Sequence, residues 1–251
     1  MKIVVPMAGR GSRFAEKGVQ TPKPLIQIAG QPMVYWAINS LIEIPHTEII
    51  FIALKEYEHD YQVSTLLRGI VPGPQRLILL DEITQGQLCT VLAARDQIAT
   101  DEDVLIASAD TCILSNLSWE IAHKALDCKG IISVADMPGD RWSFARTDEN
   151  GRVVEVAEKV RISNYASTGL YYFSNGREFV KLADEMIDNG EKTRGEYYVI
   201  PLYQKYIQRG MRVDISQSRQ MWDMGTPDAL DLFEKHLAAS VPSSFTKAKH
   251  E

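Results

Sequence analysis

The sequence predicts an α/β fold, a mostly parallel mixed sheet with an antiparallel addition. Three observations carry this reading. Up to residue 108, short β-rich runs alternate with amphipathic stretches, the pattern of βαβ units. From Gly130 onward, four β-rich runs follow one another closely without helices between them. Hydrophobic residues make up 45% and charged residues 24% of 251 positions, an ordinary globular composition that can bury a substantial core.

The elements follow in order. Lys2 to Met7 reads as a buried first strand, and Ala8 to Pro24 as a long loop rich in Gly, Arg and Lys. A loop of that length in a compact domain is usually functional. Pro32 suits the first turn of a helix that carries Val34, Ala37, Ile38 and Leu41 on one face. Glu48 to Leu54 is the second strand, Glu56 to Leu67 a helix and Arg76 to Leu80 the third strand. Leu88 to Ile98 is a helix, and Asp103 to Ser108 a strand. The later strands are Gly130 to Ala135, Ser143 to Thr147, Arg152 to Val156 and Ser167 to Phe173. Two of them are joined at Asn150-Gly151, a strong hairpin signal because both residues accept positive φ. Helices return over 176–187 and 197–208. A strand from Arg212 to Ile215 precedes a turn at Trp222 to Thr226 and a helix from Pro227. Residues 1–239 are expected to form a single domain, and 240–251 a flexible tail.

Composition narrows the function. Lys+Arg number 27 against 33 Asp+Glu, a net charge of −6, which argues against nonspecific nucleic-acid binding. No apolar run is long enough to span a membrane, and the first six residues are too brief for a signal peptide. Three cysteines without a CxxC motif point to reduced thiols and a cytoplasmic enzyme, and five histidines without ligand spacing argue against zinc.

The chemistry concentrates in the first loop. Gly9-Arg10-Gly11-Ser12-Arg13-Phe14 follows a strand directly, and its glycines let backbone N–H groups approach an anion. The segment is neither GxGxxG nor a Walker loop. Pro22 and Pro24 restrict the backbone around Lys23. Together, Arg13 and Lys23 beside a glycine loop suit a polyphosphate. Asp110 lies just past a strand, at the carboxyl edge where open α/β sheets place ligands. Asp223 lies in a distant Gly-containing turn. Either aspartate alone reads as a turn or cap residue; as a pair they could offer hard oxygen ligands to Mg²⁺. The denser cluster Asp101-Glu102-Asp103 reads as a solvated loop, and Cys112 as a packing residue.

Gly9-x-Gly11-Ser12-Arg13-Phe14 followed by Pro22-Lys23-Pro24-Leu25 resembles the signature of sugar-1-phosphate nucleotidylyltransferases, the NDP-sugar pyrophosphorylases. The resemblance continues through Gly30-Gln31-Pro32-Met33, Thr84-Gln85-Gly86, Ala109-Asp110-Thr111, Glu158-Lys159, Thr168-Gly169-Leu170-Tyr171, Arg194-Gly195-Glu196 and Trp222-Asp223-Met224-Gly225-Thr226. In pattern the chain is similar to the short forms such as glucose-1-phosphate thymidylyltransferases, with no length after residue 239 for the β-helix of longer relatives. The resemblance implies a Rossmann-like three-layer αβα nucleotidyltransferase fold whose acceptor-binding part covers about 130–215.

It also implies an activity, namely Mg²⁺-dependent transfer of a nucleotidyl group from a nucleoside triphosphate to a sugar 1-phosphate, as in nucleotide-sugar and polysaccharide biosynthesis. A phosphate acceptor is already anionic and needs no general base, which fits the absence of a placed histidine. The implied roles are catalytic for Arg13 and Lys23, and nucleotide-binding for Ala8, Gly9, Gly11, Ser12 and Gly86. Asp110 and Asp223 would bind the metal. Glu158, Lys159 and Gly169 would bind the acceptor, Gly169 by letting it approach the backbone. Val160 departs from the family's Glu-Lys-Pro. Glu196 reads either as a first-turn helix residue or as a sugar contact. Trp142, Phe144, Tyr171 and Tyr172 are either pocket or core residues. Relatives often form homo-oligomers. Two alternatives stay open: a cytidylyltransferase acting on a non-sugar phosphorylated acceptor, and a nucleotide-sugar-binding regulatory subunit without turnover.

Overall fold

A computed structural model describes residues 1–240 of the chain. Its elements run β1 (Lys2–Pro6), α1 (Ser12–Ala15), β2 (Gln27–Ile28), β3 (Gln31–Pro32), α2 (Met33–Asn39), β4 (Glu48–Leu54), α3 (Lys55–Tyr61), α4 (Val63–Ile70), β5 (Gln75–Leu80), α5 (Gln87–Val91), α6 (Arg95–Ile98) and β6 (Val104–Ala107). They continue with β7 (Thr111–Leu114), α7 (Leu117–His123), β8 (Cys128–Asp136), β9 (Ser143–Thr147), β10 (Val153–Glu158), β11 (Tyr165–Phe173), α8 (Gly176–Asp188), α9 (Pro201–Gln208), β12 (Arg212–Gln217), β13 (Gln220–Asp223) and α10 (Pro227–Ser240).

Strands β6, β1, β4 and β5 lie side by side and parallel. β11 runs antiparallel to β6 along one edge and to β8 along the other. β12 adds to β8 in parallel, and the β9–β10 hairpin joins the start of β11. This is the expected mixed sheet with its antiparallel addition.

Alternation along the strands explains the layers. Val4, Ile50, Ile52, Val104 and Ile106 face one side, where they pack with Leu88, Phe179, Leu182, Tyr203 and Tyr206. Ile3, Val5, Ile49, Phe51, Leu105 and Ala107 face the other, against Val34, Ile38, Tyr57, Val63 and Leu117. Strands buried on both faces read as continuous apolar runs, which is why β1, β4 and β6 were legible. A third cluster holds Phe14 of the first loop against Met33, Met224 and Phe233. Full burial of Phe14 contributes roughly 2–3 kcal/mol and fastens α1 beside the carboxyl end of β1.

Several boundaries differ from expectation. The helix expected over 56–67 is broken at Gln62, which adopts φ +50°. The one expected over 88–98 is split by a 3₁₀ turn at Leu92–Ala94. Pro32 ends β3, paired with Gln27, so the first long helix starts at Met33. The helix expected from Tyr197 starts only at Pro201, because the Tyr197 N–H and carbonyl are engaged with Gln85 and Leu88. Trp222-Asp223 is strand, paired with Cys112 and Thr111 of β7; neither β7 nor α7 was expected. Apart from Ser240, which ends α10, the expected flexible tail lies outside the described residues. Among the described residues, no helix is long and apolar enough to cross a membrane.

Candidate active site

Parallel strands direct their carboxyl ends to one edge, and two loops meet there. One follows β1 and carries Gly9 to Lys23; the other follows β6 and carries Asp110. Gly11 adopts φ +59°, and a Cβ there would lie 3.1 Å from the Lys23 Cβ. The bare glycine thus lets the Lys23 backbone close over the loop. Lys23 then reaches Asp110, with Nζ donating to Oδ2 at 2.5 Å. Burial opposes ionisation of Asp110, yet the Lys23 ammonium, its hydrogen bond, a backbone contact and Arg13 together hold the carboxyl below its usual range.

The β7–β13 ladder delivers the second aspartate. Asp223 pairs with Thr111, the residue after Asp110, and Met224 N–H donates to the Asp110 carbonyl at 2.8 Å. A Cβ on Gly225 would sit 2.9 Å from Asp223 Oδ1 and 3.0 Å from Asp110 Oδ2. The two carboxylates therefore face each other across one glycine, although 113 positions separate them in the chain. Asp223 Oδ1 accepts from Gly225 N–H at 2.9 Å, and Oδ2 accepts from Arg141 Nη2 at 2.5 Å.

Two cavities flank this pair. The first, about 590 Å³, is lined by Ala8, Gly9, Gly11, Ser12, Lys23 and Gly86, among others. The second, about 220 Å³, is lined by Arg13, Arg141, Glu158, Gly169 and Asp223, among others. Asp110, Ser108, Gln87 and Tyr198 border both. Arg13, expected at the triphosphate, thus stands on the wall of the second cavity.

Glu158 is buried on that wall, where the Ser143 hydroxyl donates to its carboxylate. Burial raises its pKa, against the lowering by Ser143 and Lys159. Lys159, in a left-handed conformation with φ +55°, lines neither cavity directly. Its ammonium donates to the Tyr198 hydroxyl and lies 4.4 Å from that ring's centre. Tyr198 in turn donates to Glu196 at 2.7 Å; Glu196 precedes α9, which starts at Pro201, so it is no first-turn helix residue, and it lines the first cavity.

Gly86 and Gly169 each border their expected cavity while packing closely against the chain on the other side. A Cβ on Gly86 would meet the Tyr197 carbonyl oxygen at 2.5 Å, and one on Gly169 the Ser108 Cβ at 2.7 Å. The chain itself fills the space each glycine opens. Trp142 and Tyr171 line the second cavity, while Phe144 and Tyr172 are core. Cys112 packs at the edge of the third cluster. Asp103 is less solvated than its acidic neighbourhood suggested, since the Tyr172 hydroxyl donates to it at 2.5 Å.

Sequence reasoning missed Arg141, Ser143 and Tyr198. None belongs to a spaced motif. The one available signal was the adjacency of Arg141-Trp142 to a predicted strand start.

Two carboxylates suit a hard divalent cation that takes its other ligands from phosphates and water. Among the described residues, no group of three or more His, Cys, Asp or Glu could hold a metal through protein ligands alone.

Comparison with known proteins places these residues in a wider context. The model of the family described as nucleotidyl transferase matches residues 2–239. The bifunctional protein GlmU of Thermotoga sp. is 27% identical over 207 residues, which cover 79% of this chain and 43% of that protein. The chain thus spans less than half the length of that relative. The UTP–glucose-1-phosphate uridylyltransferase AglF of Haloferax volcanii is 24% identical over 253 residues, 94% of this chain and 96% of that one. The crystal structure of the nucleoside-diphosphate-sugar pyrophosphorylase from Vibrio cholerae superposes with a TM-score of 0.80 at 27% identity, covering 93% of this chain and 99% of that chain.

Proposed function

Because the chain belongs to the nucleotidyl transferase family, we propose that it transfers a nucleotidyl group from a nucleoside triphosphate to a sugar 1-phosphate, releasing pyrophosphate. The observation that carries this reading is the meeting of Asp110, Asp223 and Lys23 at the boundary of two cavities. In this reading residues 1–239 form one domain, with the acceptor part at about 130–215.

The nucleotide occupies the first cavity, its phosphates against the Ala8 to Ser12 backbone. Catalysis is positioning and charge neutralisation, since the acceptor phosphate already carries the attacking anion. Lys23 neutralises the α-phosphate, and Arg13, on the wall of the second cavity, adds positive charge near Asp110 on the acceptor side. The acceptor enters the second cavity, with Glu158 taking hydrogen bonds from its hydroxyls and Lys159, positioned by Tyr198, drawn to its phosphate. Asp110 and Asp223 would hold Mg²⁺, which when bound supplies charge to the phosphates of both substrates.

The test is a panel of four nucleoside triphosphates against hexose 1-phosphates and phosphocholine-type acceptors, scored by pyrophosphate release. Mg²⁺-dependent release with a hexose 1-phosphate is expected. Release only with a non-sugar acceptor would redirect the reading to that class, and none with any pair would leave a binding protein.

A further inference from the structure

The two facing carboxylates are each capped by a cation of the chain itself. Asp110 Oδ2 is held by Lys23, and Asp223 Oδ2 by Arg141, both at 2.5 Å. Without such counter-charges, carboxylates brought together at one point repel. Asp223 does not depend on Arg141 for its orientation, because its other oxygen is fixed by Gly225 N–H. The aspartate side chain is 8% exposed, against 36% for the arginine, so the arginine is the partner free to leave. Its guanidinium carbon lies 4.2 Å from the centre of the Trp142 ring, and that indole is anchored by its N–H to the Pro138 carbonyl at 3.0 Å. Arg141 therefore has a fixed aromatic surface on which to rest when it releases Asp223. It also lines the second cavity beside Arg13.

We propose that Arg141 stands in for the divalent cation in the free protein, yields Asp223 when the metal arrives, and then presents its planar fork to the acceptor phosphate. This rests on the metal site described above and deepens it. Arginine suits both partners, since its paired N–H donors match carboxylate and phosphate alike. Because arginine and metal compete for one carboxylate, only the fraction of protein with Asp223 free binds metal at full strength. Metal loading is thereby coupled to the release of a cation into the acceptor cavity.

The test uses the full chain and Mn²⁺ alone, with free Mn²⁺ read by electron paramagnetic resonance. Arg141→Met should bind Mn²⁺ on the order of tenfold more tightly than wild type, the scale of a hydrogen bond between charged groups. Arg141→Lys should fall between them. Equal or weaker binding by Arg141→Met overturns the proposal and leaves the metal site standing. Absence of Mn²⁺ binding in every protein, with or without nucleoside triphosphate, overturns both. A measurement that needs no charge-removing variant follows tryptophan emission of wild type during Mg²⁺ titration. The emission should change as the guanidinium leaves Asp223 and shifts over the Trp142 ring, and Trp142→Phe should abolish the change. The same change in Trp142→Phe counts against the exchange.

Discussion

Gly86→Ala tests how the two cavities are joined. Gly86 adopts φ +131°, and an added Cβ would lie 2.5 Å from the Tyr197 carbonyl oxygen and 2.6 Å from its nitrogen. Ordinary contact begins at 3.4 Å, so one backbone must move by about 0.9 Å to reach normal van der Waals separation. That junction is fixed by two hydrogen bonds, Tyr197 N–H to Gln85 at 2.9 Å and Leu88 N–H to Tyr197 at 3.0 Å. The unfavourable φ costs about 1–3 kcal/mol and the forced shift about 1–3 more. At roughly 2–4 °C per kcal/mol for a chain of this size, the melting temperature should fall by about 5–20 °C. The displaced segment carries Glu196 and Tyr198, which border the cavities, so activity should fall about 10²-fold, the effect of a misplacement near 1 Å. The assays are thermal unfolding by circular dichroism, and pyrophosphate release at a temperature where the variant is folded. A melting temperature and turnover like those of wild type would refute the reasoning.

Other expectations concern the acceptor side. Tyr198→Phe keeps the ring under Lys159 and removes the hydroxyl that accepts its ammonium; the acceptor KM should rise about three- to tenfold, the value of one hydrogen bond, and an unchanged KM would show that Tyr198 does not position the lysine. Glu158 has a raised pKa because it is buried. As pH climbs from the ordinary carboxylate range through that raised value, the native state retains a proton the unfolded chain has lost, so stability declines across the window. Glu158→Gln should abolish that decline in melting temperature and also remove the acid limb of kcat/KM for the acceptor; parallel pH profiles for the two proteins would contradict it. Gly169→Ala drives a Cβ into Ser108 at φ +87° and should lower the melting temperature, by differential scanning calorimetry, through a cost of about 2–5 kcal/mol.

The central strands were legible because burial on both faces writes continuous apolar runs such as Ile49-Ile50-Phe51-Ile52. The β9–β10 hairpin was legible because Asn150-Gly151 specifies its turn, where Gly151 adopts φ +79°. Breaks inside helices were not, since nothing in the apolar spacing of 56–67 marks Gln62 as left-handed. The β7–β13 ladder was hidden for another reason. Four-residue strands carry little period, and their pairing joins segments far apart in the chain, Thr111–Leu114 with Gln220–Asp223. That ladder is what seats Asp223 beside Asp110, so sequence supplied the two residues through family resemblance while their geometry awaited the fold. Arg141 was invisible because its partner is distant in sequence and no spacing rule links them.

In the proposed transfer, Asp110 and Asp223 act as one site. The most direct test is steady-state pyrophosphate release by Asp110→Asn, Asp223→Asn and the double variant. Each single change should lower kcat by about 10²–10³, and the double variant should fall little further, because groups that act as a unit are not additive. Near-normal turnover in either single variant, or losses in the double variant that multiply in full, would contradict it.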